Sequence, residues 1–169
     1  IDLDAQTWWE ALAAVLILSL LLTELSAAVL PGQGGMPLPG APLLTVTVMG
    51  AATVLSILLI HHVGRALGGD GSFMGALSLT VWLQFVMLLV QTGQAVVTMV
   101  MPPLGALISL GVVALSLWLL TNFVAELHGF ESLGKVFAMI LVTSFAAAMV
   151  LVFLLLLFGV SLGQESGNV

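Results

Sequence analysis

Polar side chains recur at helical spacing inside a long apolar stretch in the middle of the chain. They are Thr80, Gln84, Gln91, Gln94 and Thr98. At about 100° per residue these positions fall within a sector about 80° wide, so they form one polar stripe along a helix. Such a stripe either lines a hydrated pathway or a substrate groove, or hydrogen-bonds to neighbouring helices. Because no charged residue lies on the stripe, we favour the second, structural interpretation.

One carboxylate lies in another apolar stretch, nearer the N-terminus. Glu24 is 16 residues past Trp8, which places it about 24 Å along a helix. Counted from Met74, Gln91 and Gln94 lie at a similar depth of about 25–30 Å. We therefore group Glu24 with the stripe, either protonated and bonded to a glutamine or turned towards outer water. The functional alternative for Glu24 is a proton-carrying site.

A second group of polar residues gathers where helices would end on the opposite side of the membrane. This polar layer comprises His61, His62, Arg65, Asn122, Glu126 and His128. Positions four residues apart share a helix face, which relates His61 to Arg65 and Asn122 to Glu126. We predict an ion pair between Arg65 and Glu126, with Asn122 orienting the carboxylate and His128 or His62 beside the pair. An unpaired buried charge would be costly there.

The functional alternatives for this layer are a lipid-headgroup site and metal, pigment or haem ligation at the histidines. His61, Glu126 and His128 carry nitrogen and oxygen atoms that can bind a metal. However, the adjacent His61 and His62 point about 100° apart on a helix, and the chain has no H-x-x-x-H or C-x-x-C pattern. We predict no metal and no cofactor.

Known catalytic patterns are missing from the sequence. The spacing Gly69-x-Gly71-x-x-x-Gly75 matches neither a dinucleotide-binding fingerprint nor a phosphate-binding loop. These glycines indicate a tight turn followed by close helix packing. A serine–histidine hydrolase inside the membrane would need a histidine at depth, and all three histidines lie near one face. The sequence therefore predicts a protein that is not an enzyme.

The composition indicates that these residues belong to a membrane protein. The chain has 169 residues, of which 61% are hydrophobic and 6% are charged, and its mean hydropathy is +1.29. A soluble domain carries about 25% charged residues. Only two residues are Lys or Arg, which excludes a basic surface for nucleic acid. The lack of cysteine excludes disulfides and thiol nucleophiles.

Five apolar runs are long enough to cross a bilayer core of about 30 Å. They cover residues 8–30, 43–67, 73–101, 104–127 and 133–162. We predict an all-α, polytopic bundle of five transmembrane helices, forming a single domain over residues 1–169. Thr7 with Glu10 predicts a capping box for the first helix, Ser72 an N-cap for the third, and Gly129 a C-cap for the fourth. Because the chain begins at Ile1, we expect a further segment upstream.

The basic residues predict the orientation of the bundle. Arg65 and Lys135 both fall on the N-terminal side of the five predicted spans, and the other side has no basic residue. Basic residues are enriched in cytoplasmic loops. We therefore predict a cytoplasmic N-terminus and a periplasmic C-terminus in a bacterial inner membrane.

Two motifs carry a family resemblance. The sequences R-x-x-G-G-x-G-S-F, starting at Arg65, and A-E-L-H-G-F, starting at Ala125, resemble the Yip1-domain family, in particular its small bacterial members of alphaproteobacterial type. The resemblance implies a five-helix membrane domain with a cytosolic N-terminus. It implies no established activity for bacterial members, and the vesicle-traffic role of eukaryotic relatives is not transferred.

The functional expectation is a non-enzymatic integral membrane protein that acts through protein or lipid contacts, such as an accessory subunit of a larger membrane complex. Its expected partners are the lipid bilayer and other membrane proteins, with no nucleic acid. The alternative is a small transporter or channel that uses the polar stripe with Glu24. A stripe that lines a cavity open to one face would favour the transporter.

Overall fold

Five long helices make up the computed structural model, which describes residues 4–29 and 42–157. The helices are α1 (Ala5–Val29), α2 (Pro42–Ala66), α3 (Phe73–Val100), α4 (Pro102–His128) and α5 (Leu133–Leu157). Each is long and apolar enough to cross a membrane. The all-α, five-helix prediction is therefore confirmed. The Pro- and Gly-rich residues 31–41 and the predicted end of the fifth span at residues 158–162 lie outside the described residues.

The first helix begins three residues earlier than the predicted span and has a different cap. The backbone N–H of Thr7 donates to Asp4 Oδ1 at 3.1 Å, and the Thr7 hydroxyl donates to the same oxygen. The predicted capping box of Thr7 and Glu10 is wrong, since Glu10 accepts instead from Gln6. A carboxylate at this position also complements the positive end of the helix dipole. The hydrogen bonds from Thr7 lower the pKa of Asp4 below its ordinary value.

The predicted caps of the third and fourth helices are confirmed. The Ser72 hydroxyl accepts from the backbone N–H of Gly75 at 3.0 Å. Gly129 ends α4 in the left-handed conformation, with φ 69° and ψ 31°, which glycine adopts without strain. α4 itself begins at Pro102 rather than at the predicted Leu104, because the fixed φ of proline suits the first turn of a helix.

Packing is concentrated at one end of the bundle, where the α2–α3 and α4–α5 connections lie. α3 is the central helix and contacts α1, α2 and α4, while α5 packs on α4 and α2. Two buried clusters hold this end together: Leu12, Ile57, Ala76, Leu77 and Val81 in one, and Leu79, Val124, Ala125, Val136 and Ile140 in the other. We call this end of the bundle the connection end.

The rest of the bundle is much less tightly packed. Large apolar side chains stay exposed there, for example Leu110 on α4 and Phe145 on α5. One close contact forms at the far end, where Thr98 of α3 is buried against Gly105 of α4. A Cβ on Gly105 would lie 2.1 Å from Thr98 Oγ1, so only glycine permits this approach. Lipid or other membrane helices must cover the exposed apolar faces.

Candidate functional site

His128, the last residue of α4, is the most enclosed polar side chain at the connection end. It is only 3% exposed. Its Nδ1 lies 3.1 Å from the carbonyl oxygen of Val124, one turn earlier, and donates a hydrogen bond to it in the neutral tautomer. The other ring nitrogen, Nε2, is buried without a hydrogen-bond partner. Such an atom is costly to bury, so the site must gain stability from packing.

Three glycines enclose the imidazole of His128, and we call them the histidine cradle. A Cβ would lie 2.0 Å from His128 Nε2 if built on Gly64, and 2.4 Å from it if built on Gly71. A Cβ on Gly69 would lie 2.5 Å from the Cβ of His128. The ring of Phe130 stacks on His128 with centroids 5.6 Å apart and planes 11° apart. Any side chain at the cradle positions would displace the histidine.

The cradle brings the two motifs of the sequence together. Gly64 lies in the last turn of α2, while Gly69 and Gly71 belong to the connection that leads into α3. His128 and Phe130 come from the A-E-L-H-G-F segment at the end of α4. The sequence indicated a tight turn at Gly69 and Gly71, but the histidine that packs against them was not predicted. The available signal was the repeated glycine in one motif and a histidine in the other.

His61 and His62 are adjacent on α2 but lie in different surroundings. His61 is partly buried, and its Nδ1 lies 3.2 Å from the carbonyl oxygen of Gly71. Its ring also meets Phe73 edge-on at 6.0 Å between centroids. His62 is exposed, its Nδ1 lies 2.8 Å from the carbonyl oxygen of Leu58 on its own helix, and its ring meets that of His61 edge-on at 5.1 Å between centroids. His61 therefore ties α2 to the α2–α3 connection, whereas His62 does not.

The predicted ion pair between Arg65 and Glu126 is wrong. Both side chains are exposed, and no ion pair joins them in the part of the chain that the structure describes. Gly64 faces His128, so Arg65 is turned about 100° away from the contact. Glu126 precedes His128 by two residues and is turned about 200° away. Asn122 does not orient the carboxylate either, because its amide donates to the carbonyl of Trp118 at 2.7 Å.

The described residues of the polar layer do not form a set of metal ligands. Among residues 4–29 and 42–157, no group of three or more His, Asp or Glu side chains lies close enough to hold a metal ion. His61 and His128 are both directed at backbone carbonyls, of Gly71 and Val124 respectively. In the polar layer, His128 is therefore buried and His61 partly buried. The other four residues contact only their own helix or solvent: His62, Arg65, Asn122 and Glu126.

The polar stripe on α3 does not hydrogen-bond across to other helices. The hydroxyls of Thr80 and Thr98 donate to carbonyls one turn earlier on α3, each at 2.8 Å. The amides of Gln84, Gln91 and Gln94 make no hydrogen bond to any described residue. The cross-helix bonds that we expected from the stripe are therefore not made. Sequence periodicity placed these residues on one face of α3 but could not show which helix or cavity lies opposite that face.

Part of the stripe lines a cavity between α2, α3, α4 and α5, which we call the intramembrane groove. Its volume is about 580 Å³. Thr80, Gln84 and Gln91 contribute from α3, and the other helices add the hydroxyls of Thr53, Ser56, Ser116, Thr143 and Ser144. No charged side chain lines it. Gln94 and Thr98 lie outside this lining, so the stripe enters the groove only along its half nearer the connection end.

Glu24 is not part of the groove. α1 contributes no residue to its lining, and the exposed Glu24 side chain has no hydrogen bond to Gln91 or Gln94. It lies instead on an outer face of α1 beside the exposed Leu21 and Leu25. Of the two expected positions for Glu24, the one bonded to a glutamine is therefore wrong, because no α1 residue reaches the part of α3 that lines the groove.

A second cavity, of about 740 Å³, lies beside the α4–α5 connection, and we call it the connection cavity. Its lining comprises Val63, Leu67, Gly129, Phe130, Glu131, Ser132, Lys135, Val136, Ala138, Met139, Val142 and Thr143. This cavity was not predicted from the sequence, where Lys135 served to predict the orientation. The available signal was a Glu and a Lys four residues apart, directly after the A-E-L-H-G-F motif.

Comparison with known proteins agrees with the resemblance that the two motifs carry. The family model described as Yip1 domain matches residues 1–158. No curated protein and no solved structure matches the chain. The match covers nearly the whole sequence, including every residue of the histidine cradle and all five helices in full. The chain therefore belongs to the Yip1 domain family and is a multi-pass membrane protein whose outer helix faces contact lipid.

Proposed function

We propose that this protein is a non-enzymatic accessory subunit of a larger membrane complex, acting through contacts with other membrane proteins and lipid. The observation that carries the proposal is the exposed Glu24 on α1. Ile17, Leu21 and Leu25 are exposed around it, and positions 17, 21 and 24 share one helix face. A carboxylate at membrane depth needs a polar partner, because hydrocarbon does not solvate it. A neighbouring helix with a hydrogen-bond donor would supply that partner.

The hydrogen bonding of potential catalytic groups supports a non-enzymatic role. All three histidines contact backbone carbonyls. The serine hydroxyls that donate hydrogen bonds within the described residues also donate to backbone carbonyls. Within the described ranges, no serine is therefore paired with a histidine as a nucleophile with its base would be.

The proposal includes the place and orientation of the protein. We take residues 1–169 as one membrane domain in a bacterial inner membrane, with the N-terminus cytoplasmic and the C-terminus periplasmic. Arg65 lies in the last turn of α2 and Lys135 in the first turn of α5, so both Lys and Arg residues of the chain lie at the connection end. The positive-inside rule supports a cytoplasmic position for that end.

Site-specific photo-crosslinking in native membranes tests the accessory role. A photoreactive residue at Leu21, on the Glu24 face, should give one discrete protein product, while the same residue at the exposed Phe145 of α5 should give none. Glu24→Ala should abolish the product and the co-purification of that protein. Glu10→Ala, a change of another exposed carboxylate on α1, should leave both intact. A protein that purifies alone, with only lipid crosslinked at position 21, would contradict the proposal.

A transporter that uses the intramembrane groove is the second candidate, favoured by the unpartnered Gln84 and Gln91 amides that line it. Gln84 is partly buried and Gln91 is exposed, so each amide would gain hydrogen bonds from water or a polar solute in the groove. The chain has no cysteine, which allows single-thiol labelling. In this case Gln84→Cys and Gln91→Cys should react with a membrane-impermeant thiol reagent from one side.

Two positions on α3 provide controls for the labelling experiment. Leu77→Cys introduces a thiol at a fully buried core position, and Phe85→Cys places one on an exposed apolar face. Neither should react, because the thiolate needs water to form. If Gln84→Cys and Gln91→Cys are as unreactive as these controls, the groove is dry and the transporter candidate is excluded.

A further inference from the structure

We infer that the connection cavity binds phosphatidylethanolamine, a phospholipid whose headgroup joins a phosphate anion to a primary ammonium. The inference rests on the proposed lipid contacts and names the lipid. The cavity of about 740 Å³ lies within the usual range of ligand sites, about 300–1,000 Å³. Its lining changes from charged to apolar along α5, as a lipid changes from headgroup to acyl chain.

The polar end of the cavity lies at the α4–α5 connection. Glu131, Ser132 and Lys135 line it there, and all three side chains are exposed. Further along α5 the lining becomes apolar, with Met139 and Val142. Val142 is seven residues past Lys135, which places it about 10 Å deeper in the bundle. One end of the cavity therefore suits a headgroup and the other suits the upper part of an acyl chain.

The two charges at the polar end are both without a partner. Neither Lys135 nor Glu131 makes a hydrogen bond or an ion pair with the other or with any residue in the described ranges. Lys135 is one of only two basic residues in the chain. A phosphate can accept from Lys135 and the Ser132 hydroxyl, while an ammonium donates to Glu131. A headgroup that carries both charges satisfies both side chains at once.

The same charges select among common phospholipids. Phosphatidylglycerol is anionic and carries no cation for Glu131, so its headgroup would leave that carboxylate repelled. Phosphatidylcholine carries a cation, but its quaternary ammonium has no N–H to donate to the Glu131 oxygens. Phosphatidylethanolamine alone of these three has both a phosphate and an N–H donor. Charge complementarity therefore favours phosphatidylethanolamine over the other two lipids in this cavity.

Lipid retention by the intact protein tests the inference. The full chain is purified in detergent, delipidated and incubated with phosphatidylethanolamine, phosphatidylglycerol and phosphatidylcholine of identical acyl chains, and bound lipid is counted by native mass spectrometry. We expect selective retention of phosphatidylethanolamine. Lys135→Ala and Glu131→Gln should each weaken this retention at least about tenfold, because each removes a charge-assisted hydrogen bond.

Matched variants separate the cavity from the rest of the connection end. Arg65→Ala removes the other basic residue and Glu126→Gln changes another exposed carboxylate, and neither residue lines the cavity. Both should retain phosphatidylethanolamine like the parent protein, and thermal unfolding should show that all four variants are folded. Equal retention of the three lipids, a preference for phosphatidylglycerol, or an equal loss in the Arg65→Ala variant would overturn the inference.

The lipid experiment and the partner experiment give independent results, so a failure of one proposal can be distinguished from a failure of the other. Lys135→Ala should leave the crosslink at position 21 unchanged, because the cavity and the Glu24 face lie on different helices. Loss of lipid selectivity with an intact crosslink would reject the lipid site alone. Selective lipid binding without any crosslink would reject the accessory-subunit proposal and keep the lipid site.

Discussion

The imidazole of His128 lies directly against the backbone of Gly64, so close that a Cβ on Gly64 would be 2.0 Å from Nε2. This contact joins the end of α4 to the end of α2, two helices that are more than 60 residues apart in the chain at these positions. It depends on the absence of a side chain at residue 64 rather than on charge. The connection end is therefore held by shape complementarity around a buried histidine.

Gly64→Ala should lower the free energy of unfolding by about 1–3 kcal/mol, because the added methyl overpacks the site of His128. Thermal or denaturant-induced unfolding of the purified protein in detergent measures this. Gly50→Ala, on the same helix, is the control, because a Cβ there meets no atom within 4 Å. It should be neutral or stabilise the helix by up to about 1 kcal/mol.

A double-mutant cycle identifies His128 as the cause. In the His128→Ala background, Gly64→Ala should cost much less than in the parent protein, since the ring that it displaces is gone. If Gly64→Ala costs the same in both backgrounds, the histidine cradle does not explain the need for glycine.

Gly105→Ala should weaken the contact between α3 and α4 at the far end, where the new Cβ would lie 2.1 Å from Thr98 Oγ1. We expect a loss of about 1–3 kcal/mol in the free energy of unfolding. Gly111→Ala, six residues later on α4, has no atom within 4 Å of its Cβ and should not destabilise the protein. Equal stability of the two variants would show that this contact is not close in the membrane.

The cap at Asp4 predicts a pH dependence of stability. The bonds from Thr7 lower the pKa of Asp4, so its carboxylate stabilises α1 above the pKa of the unfolded chain. This stabilisation is lost as the pH falls through the lowered pKa of the folded state. The free energy of unfolding of the parent protein should therefore exceed that of Asp4→Ala by its largest amount near neutral pH, and the difference should vanish in acid. Unfolding at a series of pH values measures this.

Asp4→Asn provides the control for the acid effect. Its amide oxygen can still accept from Thr7, but it does not titrate. The difference in stability between Asp4→Asn and Asp4→Ala should therefore stay nearly constant with pH. If it disappears in acid as well, the acid effect does not arise from residue 4.

Arg65 and Glu126 should show no energetic coupling, because both are exposed and no ion pair joins them. The double variant Arg65→Ala with Glu126→Ala should equal the sum of the single changes within about 0.5 kcal/mol. Glu126→Gln should be tolerated as well as Glu126→Ala, since no partner depends on its oxygens. A coupling well above this limit would restore the ion pair that the sequence predicted.

Orientation can be tested with single thiols in the cysteine-free chain. Asp70→Cys places an exposed thiol in the α2–α3 connection. A membrane-impermeant reagent should label it only after the inner membrane is permeabilised, because the proposed orientation makes that connection cytoplasmic. A periplasmic reporter fused after Val169 should be active. Labelling of residue 70 in cells whose outer membrane alone is permeable would reverse the orientation.

The sequence by itself determined the five helices and most of their ends. Hydropathy over about 20 residues is a local property, and so are the cap at Ser72, the left-handed turn at Gly129 and the proline at the start of α4. The first helix shows the limit of such patterns. Two overlapping caps were available there, and the carboxylate of Asp4 replaced the expected cap at Thr7.

Only the tertiary structure decided which residues meet. The charges of Arg65 and Glu126 suggested a pair, but one residue of helical rotation turns a side chain by about 100°, and both face away from the contact that His128 makes with Gly64. Likewise, periodicity placed Gln84 and Gln91 on one face of α3, while the position of α5 left a groove beside them. The close contact between Gly64 and His128 leaves no periodic signal in the sequence. It forms only when α2 and α4 lie side by side.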